Sequence, residues 1–445
     1  MRIKIVEKEL FKDLIKRNFD FDIDTDKINC FCTDSRSIKK NDIFIPIKGN
    51  KTDGHKYIKD VVKKGASIIF SEHEFNHDRI IKVNSTKDTL KNLSVQWINF
   101  FKKPIIAITG SNGKTTTKEM IRKIFESIKK TNYTSGNYNS SIGLPVSLFN
   151  FSLSADPIVL EMGANNIGEI DYLCKIAKPD YSLITNIQNA HIGNFNSFKD
   201  LIETKGSIFK NTNNNGLIFE NADDFNISNI CKNFSNKITF GFNNKNVDFF
   251  GSIKVLNNKT NFYINNQKIK NSNINIIMAK NMLAAYSIAR TYGIERQIII
   301  DILEKINFLD GRGNHIYKNN YLIIDDTYNA NLDSFKIGID SFLNINSKGR
   351  KFLVIGDMKE LGDKTISHHL ELGRYINKNT IDFVLGIGKD MKHCINEINN
   401  SQIFSKLFID NEDLVKFLKL ELKPDDAIYL KASRSMQFEN IIEQI

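Results

Sequence analysis

Apolar and polar positions along this chain fall into short blocks with different periods. The runs IIAIT (105–109), PIVLEMG (157–163) and YSLITN (181–186) are mostly apolar without alternation, as strands covered on both faces of a parallel sheet should be. Helical spacing fills the gaps between them, beginning with a segment from about Thr116 to Lys129. Strand–helix alternation of this kind predicts a doubly wound parallel sheet. Before residue 100, IFIPIKG (43–49) reads as a strand ending in a glycine turn, and KYIKDVVKKGASIIFSE (56–72) as a helix, a glycine stop and another strand. Residues 211–276 are rich in Asn and alternate apolar with polar, which predicts short antiparallel strands. KNMLAAYSIARTYG (280–293) has helical spacing closed by a glycine. Beyond Gly311, YLIIDD (321–326), KFLVIGD (351–357), DFVLGIG (382–388) and DAIYLKAS (426–433) are four strand candidates separated by helical stretches, a Rossmann-like sheet without the glycine fingerprint.

The 445 residues suffice for three domains at roughly 150 residues each. The pattern places them at 1–100, a small α/β domain; 101–311, a central doubly wound parallel-sheet domain entered through the linker Lys102-Lys103-Pro104; and 312–445, a C-terminal Rossmann-like α/β domain. With 41% hydrophobic and 25% charged residues the chain can bury several cores, which excludes global disorder. No run approaches the ~20 apolar residues of a membrane span. MRIKIVEKELFKDLIKRN is charged throughout and is not expected to be a signal peptide. Five sparse cysteines, with no CxxC and no Cys/His cluster, argue against zinc and for a reducing cytoplasm. The net charge of +11 comes from scattered lysines. Lys/Arg clusters interleaved with aromatics are missing, so nucleic acid is not the expected partner, whereas small phosphorylated molecules fit the balance.

The strand IIAIT runs into Gly110-Ser111-Asn112-Gly113-Lys114-Thr115-Thr116-Thr117 and then into a helix. Glycines let backbone N–H groups wrap a phosphate, and a helix N-terminus adds positive potential. Lys114 is placed to neutralise terminal phosphates, and the Thr115 hydroxyl to ligate Mg²⁺. The loop is a shortened GxxGKT, since Ile108 stands where the first glycine of GxxxxGK[ST] belongs. Gly110, Ser111, Asn112, Gly113, Lys114, Thr115 and Thr116 are therefore the candidate nucleotide contacts.

TGSNGKTTTKEM resembles the ATP loop of the Mur ligases, the ATP-dependent amide-forming enzymes of peptidoglycan precursor synthesis. TDSRSIKKNDIFIPIKG (33–49), NYNSSIGLP (137–145), VLEMGANNIGEI (159–170), TNIQNAHIGNF (185–195), TKGSIF (204–209), GRG (311–313), IDDTYNANLDS (324–334), VIGDMKELGD (354–363) and KASRSM (431–436) extend the resemblance over nearly the whole chain. Within the family, DDTYNAN and GDMKELG look like the members that join D-Ala-D-Ala to UDP-MurNAc-tripeptide. The resemblance implies an ATP-dependent ligase working through an acyl phosphate, with a UDP-sugar-binding first domain, a P-loop ATPase in the centre and a ligase domain at the end. It implies Mg²⁺ held by Thr115, Glu161 and His191, and a carbamate on Lys205, although Ser207 replaces the glutamate usual two residues later. It assigns Asn281 to adenine, with Lys280 and Ala284 departing from the usual HNxxN. It assigns Arg312 to the nucleotide phosphates, Asp326 to the ribose and Asn329 to the adenine side. Ser35, Arg36 and Lys48 would bind the UDP moiety, and Ser433 and Arg434 the remaining substrate or phosphate. Lys114, Lys205, His191 and Arg312 form the expected catalytic set, in a cytoplasmic enzyme acting as a monomer. A sister ligase adding the diacid residue would carry a DNP-containing loop, and no Asn-Pro occurs in this chain. Folylpolyglutamate synthetase fits less well, because the first region resembles a UDP-sugar module.

Overall fold

The computed structural model describes residues 1–49, 52–188, 192–256, 259–270, 275–306 and 310–445. Three sheets, of five, nine and six strands, follow one another along the chain.

In the central sheet, Ile105–Thr109 lies between Ile158–Glu161 and Tyr181–Ile184, parallel to both. All five residues of that strand are buried, which is why the sequence shows no alternation there. The apolar run stops at the sheet's carboxyl edge, where the glycine loop begins and where open α/β sheets bind their ligands. The helix after the loop starts at Lys114, two residues earlier than its spacing predicts, and ends at Glu126. Lys114 is thus the first helical residue.

The antiparallel expectation for 211–276 is only partly correct. Leu217–Asn221 and Lys237–Gly241 are parallel strands that extend the main sheet, with the helix Phe225–Cys231 between them. Phe249–Leu256 joins in parallel, and only Lys259–Ile264 and Gln267–Ile269 turn back antiparallel. Asn-rich connections hid the βα rhythm, because the helix between these strands has only seven residues. The helix Ile276–Tyr292 does end at Gly293, whose φ of 106° is one that glycine adopts without strain.

The first sheet pairs Arg2–Lys4 antiparallel to Cys30–Cys32 and continues in parallel through Ile43–Phe44, Ile68–Ser71 and Ile80–Lys82. IFIPIKG contributes only Ile43 and Phe44 to this sheet; Pro46 has no N–H to donate to a ladder. The first and central units share one continuous apolar core. At its centre, fully buried Trp97 packs against Phe11 and Phe149 and donates its indole N–H to the Leu148 carbonyl at 2.8 Å.

The third sheet has the order Asn314–Lys318, Tyr321–Asp325, Ala427–Lys431, Lys351–Gly356, Phe383–Ile387, Phe404–Phe408. Four of these strands were legible in the sequence. The two others are edge strands, and Phe404–Phe408 is largely exposed. Among the described residues, no helix is long and apolar enough to cross a membrane.

Candidate active site

The glycine loop is held open by a neighbouring segment. Thr185, Asn186 and Gln188, just past the strand Tyr181–Ile184, bond to Ser111 and Asn112 from both sides. Ser111 N–H donates to the Asn186 carbonyl at 2.9 Å. Asn112 N–H donates to Asn186 Oδ1 at 3.0 Å, Asn112 Nδ2 to Gln188 Oε1 at 2.7 Å, and Thr185 Oγ1 to the Asn112 carbonyl at 2.6 Å. Gly110 has φ 145°, and a Cβ there would lie 1.9 Å from Thr185 Oγ1, so only glycine fits. Gly113, with φ 81°, lets Asn281 press its side-chain oxygen within 2.5 Å of where a Cβ would be. Asn281 is thereby drawn against the loop. Ala284, in place of the family's second asparagine, is buried among apolar side chains, and Lys280 is exposed.

Two lysines converge on one carbonyl. Lys114 Nζ donates to Gly110 O at 2.8 Å and to Ser111 O at 3.1 Å. Lys205, on the helix Phe198–Lys210, is 2% exposed and donates to the same Gly110 oxygen at 3.0 Å. Burial, reinforced by the Lys114 charge, holds the Lys205 amine well below the ordinary lysine range. Burial also lowers Lys114; Glu161 opposes that shift and Arg312 adds to it.

Glu161 ends the strand beside the loop and is 1% exposed. Its Oε1 accepts from Asn139 Nδ2 at 2.6 Å, while Oε2 has no hydrogen-bond partner among the described residues and lies 4.0 Å from Lys118 Nζ. Among the described residues, the buried Thr109 and Thr117 hydroxyls also have no hydrogen-bond partner. A buried carboxylate oxygen without a hydrogen bond beside a phosphate loop suits a hard cation. Thr115 stands in the first turn of the loop's helix, half-buried. His191 lies outside the described residues.

The third unit completes the site. A cleft of about 1380 Å³ runs between Asn112, Gly113, Thr116 and Asn281 on one side and Arg312, Asp326, Tyr328, Asn329, Asn331 and Lys431 on the other. Asn331 Nδ2 donates to Asn112 Oδ1 at 2.8 Å, tying the third unit directly to the loop. The Arg312 guanidinium lies 3.9 Å from the centroid of the Tyr328 ring, in a turn whose flanking glycines have φ 70° and 88°. A second contact joins backbone to backbone: a Cβ on Gly193 would fall 2.4 Å from Gly362 N and 2.5 Å from the Leu361 carbonyl carbon.

Of the remaining expected residues, Arg434 reaches the cleft's edge, its guanidinium 6.0 Å from the Tyr328 ring centroid, while Ser35, Arg36, Lys48 and Ser433 do not line the cleft. Arg36 is exposed and turned onto Asp34, at 2.9 and 2.8 Å, which holds the Asp34 carboxyl down to about 2. Ser35 is half-buried, and Lys48 is exposed. Ser433 is buried, with its hydroxyl accepting from Lys359 N–H at 2.9 Å, and exposed Arg434 pairs with Glu439 at 3.1 Å. Asp53, His55 and His73 place three potential ligand atoms together. However, the His55 ring is already committed, to Asp53 at 2.7 Å and to the Glu72 N–H at 3.2 Å. This cluster locks a turn. Thr185, Asn186, Gln188, Tyr429, Lys431 and the Gly193–Gly362 contact are the site's additions to the expected set. Only their position beside carboxyl-edge strand ends could have signalled the first three.

A phosphate loop whose cleft is closed by a separate Rossmann-like unit is the layout of a multidomain nucleotide-dependent enzyme. Family models sharpen this. Residues 27–103 match the catalytic domain of the Mur ligase family, residues 108–289 the Mur ligase middle domain, and residues 311–434 the Mur ligase glutamate ligase domain. The chain belongs to the Mur ligase family. It is 33% identical over 434 residues to the UDP-N-acetylmuramoyl-tripeptide–D-alanyl-D-alanine ligase of Buchnera aphidicola subsp. Baizongia pistaciae, covering 94% of this chain and 92% of that one. The enzyme of the same name from Haemophilus influenzae is 31% identical over 440 residues, covering 95% and 94%. Among solved structures, MurF from Acinetobacter baumannii superposes with a TM-score of 0.87 at 26% identity, over 97% of each chain. MurF from Thermotoga maritima in complex with ADP gives 0.82 at 30% identity, over 93% of this chain and 96% of that one.

Proposed function

We propose that this chain is the ATP-dependent ligase that joins D-Ala-D-Ala to UDP-MurNAc-tripeptide, giving the UDP-MurNAc-pentapeptide of peptidoglycan synthesis. The observation that carries the reading is the convergence of Lys114 and Lys205 on the Gly110 carbonyl, in the loop whose Asn112, Gly113 and Thr116 line a cleft with Arg312 and Asp326 opposite. The tripeptide's terminal carboxylate takes the γ-phosphoryl group, forming an acyl phosphate and releasing ADP. The D-Ala-D-Ala amine then attacks the acyl carbon and phosphate leaves. The chain contributes mainly position and charge. Lys114 leaves its loop carbonyls for the phosphates, and Arg312 approaches them from the third unit. Asn281 and Asn329 bracket the adenine side, and Asp326 the ribose. Closure of the third unit keeps water from the acyl phosphate.

Thr115, Glu161 and His191 would hold Mg²⁺, which supplies charge neutralisation for the transferring phosphoryl group. Lys205 is suited to carbamylation because burial disfavours the charged form of its amine, and it is the neutral amine that adds CO₂. The resulting anion would balance cations at the loop. Ser35, Arg36 and Lys48 of the domain at 1–100 bind the UDP moiety, with Arg36 moving off Asp34 to do so. Ser433 and Arg434, in the domain at 312–445, contact the remaining substrate or its phosphate, and the domain at 101–311 holds ATP. The enzyme acts in the cytoplasm, as a monomer.

Phosphate release tests the reading. It should require ATP, UDP-MurNAc-tripeptide and D-Ala-D-Ala together, with the pentapeptide product seen by mass spectrometry. Equal or faster turnover with a single amino acid in place of the dipeptide would refute it.

A further inference from the structure

Asp326 is held from behind by two side chains of one strand. Tyr429 and Lys431 are two residues apart on Ala427–Lys431, so both point to the same face of the third sheet. That strand runs parallel to Tyr321–Asp325, with Leu430 opposite Asp325, which brings the face to Asp326. Tyr429 donates its hydroxyl to Asp326 Oδ2 at 2.6 Å, and Lys431 Nζ donates to the same oxygen at 2.6 Å. Lys431 also donates to the Asn329 carbonyl at 3.0 Å, so one ammonium fixes both cleft residues. Tyr429 and Lys431 are 2% and 3% exposed. The fold makes room for the network: a Cβ on Gly338 would lie 1.8 Å from the Tyr429 hydroxyl. Asp326 itself keeps 21% of its side chain exposed, and among the described residues its Oδ1 accepts no hydrogen bond.

We propose that Lys431 is a positioning residue for nucleotide recognition: with Tyr429 it fixes the Asp326 carboxylate by one oxygen and leaves the other for the vicinal hydroxyls of a ribose. The proposal rests on the reading of the cleft as an ATP site. A carboxylate oxygen is an acceptor only. It takes hydrogen bonds from sugar hydroxyls and repels phosphate, so it sets which end of the nucleotide lies here. A free carboxylate would turn about its own side-chain bonds and lose part of each bond's energy to ordering. The buried ammonium removes that freedom and balances a charge that burial alone would disfavour. Lys431 therefore acts on the nucleotide only through Asp326 and Asn329.

The test is calorimetric binding of ATP and of 2′,3′-dideoxy-ATP to the full chain. The wild type should prefer ATP by about tenfold or more, the worth of one or two charge-assisted hydrogen bonds. Asp326→Ala should erase the preference. Lys431→Met should bring it within about threefold, and in the Asp326→Ala background should not change the ratio further. Should Lys431→Met fail to fold, Tyr429→Phe removes one of the two holding bonds and should narrow the ratio in the same direction. A Lys431→Met protein that binds ATP more weakly but keeps the wild-type preference would overturn the proposal, as would a Tyr429→Phe ratio equal to wild type. Absence of binding by either nucleotide to the wild type would instead overturn the ATP reading. Equal binding of both by the wild type would remove the ribose from Asp326 and the proposal with it.

Discussion

Gly193→Ala isolates the closing contact from the rest of the chemistry. Gly193 has no positive φ, so alanine suits its backbone and the only obstacle is the third unit. The added Cβ would lie 2.4 Å from Gly362 N, against about 3.4 Å for ordinary contact, so the two backbones must part by about 1.0 Å. Carried rigidly across the cleft, that shift would stretch the Asn331–Asn112 bond of 2.8 Å to about 3.8 Å and break it. Arg312 and Asp326 would recede from the loop by a similar distance. A misplacement of about 1 Å costs on the order of 10²-fold in rate, and partial relaxation would bring this to between about 10- and 100-fold. Steady-state release of ADP with all three substrates measures it, with melting temperature as the control for folding. Neighbouring Asn194→Ala, which trims an exposed side chain and adds no bulk, should stay near wild type. A Gly193→Ala enzyme within about threefold of wild-type kcat/KM would refute the claim that this backbone contact sets the closed geometry.

Lys114→Met should abolish ligation with little loss of fold, because among the described residues the side chain bonds to two loop carbonyls and nothing else; near-normal turnover at saturating ATP would sink the loop assignment. Lys205→Ala should be nearly inactive and partly rescued by a small carboxylic acid, while Lys205→Arg, charged and larger, should not be rescued; substantial activity of Lys205→Ala in CO₂-depleted buffer would end the carbamate reading. His369 accepts the Met358 N–H at Nε2 (3.2 Å) and donates from Nδ1 to the Thr365 carbonyl (2.7 Å), and burial lowers its pKa despite the opposing Thr365 bond. Its stabilising contribution should be complete above the unfolded value of about 6.5 and lost as pH falls through the lower folded value, so thermal melts between pH 7.5 and 5.5 should shift more in wild type than in His369→Gln.

The elements most legible in the sequence are those whose local pattern carries their whole explanation. IIAIT is buried on both faces and its apolar run says so; the loop after it shows its glycines because two of its φ values require them. Lys114 and Glu161 could be placed because each follows directly from a strand's carboxyl edge. The parallel strands at 217–221 and 237–241 were hidden because a seven-residue helix leaves little periodicity to count. Lys205 could be located by its resemblance, but not its environment: the bond to Gly110 spans 95 positions, and no local pattern reports such a distance. The same holds for Lys431 with Asp326, 105 positions apart, and for Gly193 with Gly362, where the signal is merely the absence of a side chain.

The chain has one tryptophan, and its indole sits in the seam shared by the first two units, sealed from water and bonded to the Leu148 carbonyl. Intrinsic emission excited at the red edge is therefore a single-site optical probe. It will be blue-shifted in the native protein and will follow melting of that joint core. Swinging of the third unit moves no chromophore of this kind and should leave the spectrum flat. A denaturation curve read by tryptophan emission and one read by circular dichroism need not coincide, and the gap between them would measure how far the Rossmann-like unit unfolds on its own.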